Sequence, residues 1–299
     1  MEHTVLKGIY VPLVTPFAED GSVALDALEK LAGSLLDDGA AGLVALGTTG
    51  EPATLDAAER RAVVDVCAAV CADRGAQLVV GAGGADTRAA AEELAGLGAR
   101  VPGAAAALVT VPAFVRPGEA GTVAHFRALA AASAVPLVVY HIPYRTGQQL
   151  SAGALLELAA IDGVVGVKYA TGGLDQAAVE LLAQAPDGFA VLSGEDAFLA
   201  PVLALGGAGG IPASAHLATA RFVELTDAWE RGDVPRARAL GHRLTALATA
   251  AFAAPNPAVV KGVLHAQGRI PTPDVRLPLL PAGADEVAVA LALATGLDH

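Results

Sequence analysis

What most constrains this chain is an alternation. Short apolar runs recur, and each is followed by a longer Ala- and Leu-rich segment with charges at helical spacing. The runs are GIYVPLVT (8–15), GLVAL (42–46), QLVVG (77–81), AAALV (105–109), PLVVY (136–140), VVGVK (164–168), FAVLS (189–193) and AGGI (208–211). The periodicity predicts helices over 25–38, 56–73, 87–98, 119–133, 151–160, 174–184, 196–204 and 216–231. Strands covered on both faces read as unbroken apolar runs, which is what a parallel sheet requires. Eight strand–helix units in roughly 230 residues are the arithmetic of an α/β protein built as a (β/α)8 TIM barrel. A doubly wound sheet accounts for the pattern less well, because no GxGxxG follows the first run.

Beyond residue 233 the periodicity is helical only, near 234–253, 257–267 and 283–296. The expected organisation is therefore a barrel over 1–232 with a C-terminal helical extension over 233–299, belonging to the same domain. Residues 197–220 lack Asp, Glu, Lys and Arg, but Pro201, Pro212 and four glycines would interrupt a membrane helix there. The first ten residues, MEHTVLKGIY, have no apolar signal core. A cytoplasmic protein is expected.

The chain carries a formal net charge of −12, so nucleic acid and anionic membranes are poor partners on electrostatic grounds. Cys67 and Cys71 stand four apart in a helical stretch and read as small buried apolar groups. With no HExxH and no other His/carboxylate cluster, no metal is expected.

In a barrel, chemistry belongs at the C-terminal ends of the strands and in the loops that follow. Three ends stand out: GTTGE (47–51), YHIPYRTG (140–147) and Lys168. Lys168 lies inside an apolar run, and it is one of only four lysines, with Lys7, Lys30 and Lys261. Desolvation of an ammonium lowers its pKa, and the neutral amine is the nucleophile that condenses with ketones to a Schiff base. A strand-end lysine that snorkels to solvent gives the same local pattern. Tyr140 ends the preceding strand, which places it roughly 5 Å to the side of Lys168. A phenol there is suited to the proton transfers of imine chemistry. GTTGE offers hydroxyls and consecutive backbone N–H groups that can hold a carboxylate. Arg145 offers a bidentate grip on a second carboxylate. His141 should face away from Tyr140 along an extended strand and reads as structural.

Taken in order, GIYVPLVTPF, GTTGEPATL, GAGGADT, YHIPYRTG, GVKYATG, LSGEDA and APNPAVVK resemble the dihydrodipicolinate synthase / N-acetylneuraminate lyase family over nearly the whole chain. The resemblance implies a (β/α)8 barrel with a helical extension, usually a homotetramer. It also implies a Schiff-base mechanism on pyruvate without metal or organic cofactor. By position, Lys168 resembles the imine-forming lysine and Tyr140 the tyrosine that works on the imine. Thr48 resembles the relay hydroxyl and Thr49 the residue that holds the pyruvate carboxylate. Ile211 resembles the residue that lines the pyruvate pocket through its backbone.

Within the family, GTTGE and the Arg145 turn match the synthase branch, which joins pyruvate to aspartate semialdehyde for lysine biosynthesis. His141-Ile142-Pro143 and the aromatic Tyr169 match the lyase branch, which implies an aldolase or lyase acting on another 2-oxo acid, of N-acetylneuraminate or 2-keto-3-deoxy sugar acid type. Where synthases carry the third hydroxyl of a Tyr-Thr-Tyr relay, this chain has Phe114. The synthase reading is preferred because of Arg145. A non-catalytic barrel that binds metabolites is the competing class. The positions that hold feedback-inhibiting lysine in sensitive synthases match Ala57, Arg60, Ala85, Ala89 and Ala113 here, so insensitivity to lysine is expected.

Overall fold

The computed structural model describes residues 5–297. Its elements begin with β1 (Gly8–Pro12), α1 (Leu25–Asp37), β2 (Gly42–Ala45), α2 (Ala57–Arg74), β3 (Gln77–Ala82), α3 (Thr87–Arg100), β4 (Ala104–Thr110) and α4 (Gly118–Ala132). They continue with β5 (Leu137–His141), α5 (Pro143–Thr146), α6 (Ala152–Ala159), β6 (Val164–Tyr169), α7 (Gln176–Gln184), β7 (Ala190–Ser193), α8 (Leu199–Ala204) and β8 (Gly209–Gly210). Four helices follow: α9 (Ala215–Glu230), α10 (Val234–Ala251), α11 (Ala258–Ala266) and α12 (Ala284–Gly296). The strands pair in sequence order and close into a barrel. The expected (β/α)8 architecture is what the chain adopts.

The described residues fall into two compact units, one of residues 5–8 with Val79–Ile211 and one of Ile9–Leu78 with residues 212–297. In the first, the strands are apolar because both faces are covered. Every residue of β5 is buried. Side chains such as Leu94, Phe126, Leu129, Leu155 and Leu181 of the flanking helices are fully or almost fully withdrawn from water. The parallel register sets Tyr140 beside Lys168 and His141 beside Tyr169. Polar ties hold the loops at this end. Gln148 accepts from the Gly118 N–H at 3.0 Å and donates to the Thr122 hydroxyl at 2.8 Å. The eighth strand is shorter than the AGGI run, with two residues. At Gly209 φ is +151°, and a Cβ there would lie 1.9 Å from the Gly8 carbonyl oxygen. Only glycine tolerates that approach.

In the second unit, α1 packs on α2, α9 on α10 and α11, and α12 on α10 and α11. Helix α2 opens with a capping box in which Asp56 accepts from the Glu59 N–H and Glu59 reaches back to the Asp56 N–H. Both cysteines of α2 are buried, and burial pushes the Cys71 thiol up to about 11. They are apolar filling, as expected from their setting. His216 lies at the base of α9. Its Nδ1 faces the Ala213 carbonyl at 2.7 Å, and its Nε2 accepts from the Val14 N–H at 3.2 Å. Residues 197–220 contribute α8, β8 and the start of α9. Among the described residues, no helix is long and apolar enough to cross a membrane.

Candidate active site

Lys168 is the penultimate residue of β6 and is 7% exposed. Its Nζ lies 4.5 Å from the centroid of the Tyr140 ring, so the expected lateral neighbour is in place. Burial pulls the Lys168 pKa from 10.5 down to about 8. The Asp196 and Glu195 charges oppose that fall, and Arg145 adds to it. The amine is thus tuned by its surroundings rather than snorkelling into solvent.

The surroundings come from the strand on the other side. Leu192 of β7 is the register partner of Lys168, and Gly194 immediately follows β7, two residues after Leu192. A Cβ on Gly194 would sit 2.9 Å from Lys168 Cγ, 2.8 Å from Ala170 Cβ and 2.9 Å from the Tyr169 carbonyl oxygen. Glycine is therefore required for β7 to close over the lysine. Glu195 and Asp196 follow it. Burial raises the Glu195 pKa, while the Gly172 N–H donates to its Oε1 at 3.1 Å and lowers it.

Arg145 lies in the four-residue helix α5 rather than in an open loop. It is exposed, with its guanidinium 5.2 Å from the centroid of the Tyr144 ring and its Nε donating to the Tyr144 hydroxyl at 3.3 Å. Ile211 follows β8 and is buried, and its N–H donates to the Ser193 carbonyl at 2.8 Å. The carbonyl is the backbone group it has left to offer a ligand.

On the other face of the strands, the Tyr169 hydroxyl donates to Asp175 at 2.6 Å. His141 is fully buried with its ring 5.4 Å from that of Tyr169, and burial lowers its pKa to about 4. It is a neutral packing residue.

The GTTGE turn belongs to the second unit. Thr48–Gly50 form a single 3-10 turn just past β2. Thr48 is half-buried and Thr49 is buried. The Thr49 hydroxyl oxygen accepts from Asn256 Nδ2 at 2.9 Å. Glu51, in the left-handed region at φ 55°, is buried and pairs with Lys261 Nζ at 2.8 Å. Its second oxygen accepts from the Arg276 N–H at 2.9 Å. Lys261 is 0% exposed, with its ammonium 4.0 Å from the centroid of the Phe17 ring. The Thr15 hydroxyl donates to the Gly50 carbonyl at 2.7 Å. A two-pronged clamp from residues 256–261 thus grips the turn.

The structure therefore brings Lys168, Tyr140 and the charge of Arg145 together at one end of adjacent strands. Thr48 and Thr49 stand on a separately braced turn. Sequence reading passed over Gly194, Asp196, Asn256 and Lys261. Lys261 carried a signal, since it shares with Lys168 the rarity of lysine in this chain. The others lay inside quoted motifs whose contacts only packing assigns. Among the described residues, no group of three His, Cys, Asp or Glu is placed to hold a metal ion.

The sequence model of the dihydrodipicolinate synthetase family matches residues 5–294. The chain belongs to that family. It is 40% identical over 286 residues to a 4-hydroxy-tetrahydrodipicolinate synthase of Moorella thermoacetica, covering 95% of this chain and 96% of that protein. Among solved structures, the dihydrodipicolinate synthase from Acinetobacter baumannii, described as chloride-inhibited and complexed with pyruvate, superposes with a TM-score of 0.90 at 33% identity. That match covers 98% of this chain and 99% of the other. A monomeric dihydrodipicolinate synthase variant superposes with a TM-score of 0.93 at 29% identity, covering 99% of each chain. Both the resemblance read from the motifs and the barrel read from the alternation hold.

Proposed function

We propose that this chain is a carbon–carbon lyase of the dihydrodipicolinate synthase type, which condenses pyruvate with aspartate semialdehyde to 4-hydroxy-tetrahydrodipicolinate. The observation that carries the reading is a buried strand-end lysine, lowered to a pKa of about 8, beside a tyrosine ring. The names of the relatives support the synthase reaction over the lyase reading and over a non-catalytic barrel.

The neutral Lys168 amine adds to the C2 carbonyl of pyruvate, and loss of water leaves a protonated imine. That cation acidifies the methyl carbon, which loses a proton to the Tyr140 and Thr48 hydroxyl relay as the C–H electrons form the enamine. The enamine carbon attacks the aldehyde carbon of aspartate semialdehyde. The semialdehyde amino group then attacks the imine carbon, which closes the ring and releases the Lys168 amine. Tyr140 and Thr48 pass protons in these steps. Thr49 holds the pyruvate carboxylate, the Ile211 carbonyl lines the pyruvate pocket, and Arg145 grips the carboxylate of the semialdehyde.

Short incubation with pyruvate followed by borohydride should fix one pyruvate on the Lys168 peptide; no adduct there overturns the imine reading. In an aldehyde panel, Arg145→Ala should raise KM for aspartate semialdehyde about tenfold or more, as expected for a lost charge-assisted hydrogen bond. Unchanged kinetics would remove the semialdehyde from the proposal.

The active form is a homo-oligomer. Phe114, at φ 73°, is 99% exposed on the loop after β4, and Val115 and Tyr144 are exposed too. Apolar groups held this far into water are characteristic of a surface that another subunit covers. Phe114→Asp should lower the sedimenting mass, and an unchanged mass would place the contact elsewhere.

A further inference from the structure

We infer that Asn256 is a positioning residue that sets the direction in which the Thr49 hydroxyl donates. This rests on the reading above, in which Thr49 holds the pyruvate carboxylate.

A hydroxyl has one hydrogen to donate and two lone pairs to accept with. Asn256 Nδ2 donates to Thr49 Oγ1 at 2.9 Å, so that contact occupies a lone pair and leaves the hydrogen to point elsewhere. An ionised carboxylate only accepts, so it can be held by this hydroxyl only if the hydrogen is not spent on the protein. The opposite amide orientation would do the reverse. Its oxygen would capture the Thr49 hydrogen, and two N–H donors would be stranded where Oδ1 now lies buried with no partner among the described residues. One orphaned acceptor costs less than two orphaned donors.

The amide is also held in place. Asn256 stands just before α11, and Lys261, in the second turn of that helix, binds Glu51 at 2.8 Å. The same segment, residues 256–261, therefore engages the turn twice, at Thr49 and two residues on at Glu51. A shift of Asn256 relative to Thr49 would have to break a buried ion pair.

The test compares wild type with Asn256→Ala, Asn256→Asp, Thr49→Val and the Asn256→Ala/Thr49→Val double variant. For each, KM and kcat for both substrates and the pyruvate dependence of borohydride trapping are measured. Asn256→Ala is expected to raise KM for pyruvate about tenfold, with kcat and the aldehyde KM within about twofold. Asn256→Asp, equal in size, should weaken pyruvate more than Ala does, because its carboxylate accepts the Thr49 hydrogen and adds a repelling charge. The double variant should be no worse than Thr49→Val alone. If Thr49→Val weakens pyruvate while Asn256→Ala does not, or if the two effects add in full, the inference fails and the reading of Thr49 stands. If Thr49→Val leaves pyruvate binding intact, the reading of Thr49 itself fails.

Discussion

The burial of Lys168 sets how much of its amine is reactive at neutral pH. Its pKa of about 8 leaves roughly one amine in ten neutral at pH 7, whereas a lysine at 10.5 has about three in ten thousand. The burial between β5, β6 and Gly194 is therefore worth about 300-fold in reactive amine at neutral pH. The assay is the initial rate of imine formation at subsaturating pyruvate, stopped with borohydride and read as the mass of the Lys168 peptide. Deprotonation creates the nucleophile, so the rate should climb about tenfold from pH 6 to 7 and level off above about 8. Asp196 is the charge that most raises this pKa and Arg145 lowers it. Asp196→Asn should move the inflection to lower pH and Arg145→Ala to higher pH. A rate that keeps climbing towards pH 10 would mean that Lys168 is solvated. Shifts in the opposite directions would mean that the surrounding charges act otherwise than their placement requires.

Three further outcomes follow from the same contacts. Gly194→Ala inserts a methyl group 2.9 Å from Lys168 Cγ and should lower the trapping rate at least tenfold while leaving the fold intact by circular dichroism; wild-type trapping would show that β7 gives way. Lys261→Met leaves Glu51 buried and unpaired and should cost about 3–5 kcal/mol in denaturant unfolding, whereas the Glu51→Gln/Lys261→Met pair should recover most of it; equal losses would show that packing, not charge, holds the site. By resemblance, the positions that hold lysine in sensitive synthases are mostly alanine here (Ala57, Ala85, Ala89, Ala113), so millimolar L-lysine is expected neither to inhibit nor to give calorimetric heat; saturable inhibition would overturn that expectation.

Much of this protein's fold is legible in its sequence. A strand covered on both faces must be apolar at every position, so β5 and β6 announced themselves as unbroken runs, and their parallel pairing put Tyr140 beside Lys168. The alternation of side chains along a strand likewise sent His141 to the opposite face, against Tyr169. These are local rules, and a single segment carries all the information they need.

The tuning of the site was not legible in the same way. The pKa of Lys168 depends on how closely Gly194 lets β7 approach and on the charges of Asp196, Glu195 and Arg145, which reach it only in the folded chain. Residue types at the strand ends also left open that Arg145 sits in a helical turn and that the Ile211 N–H is already spent on Ser193. The bracing of GTTGE comes from Asn256 and Lys261, more than 200 residues further on. The periodicity of a segment records which of its faces is buried, but which group lies across a hydrogen bond from it is decided by packing between elements remote in sequence, and only tertiary structure supplies that.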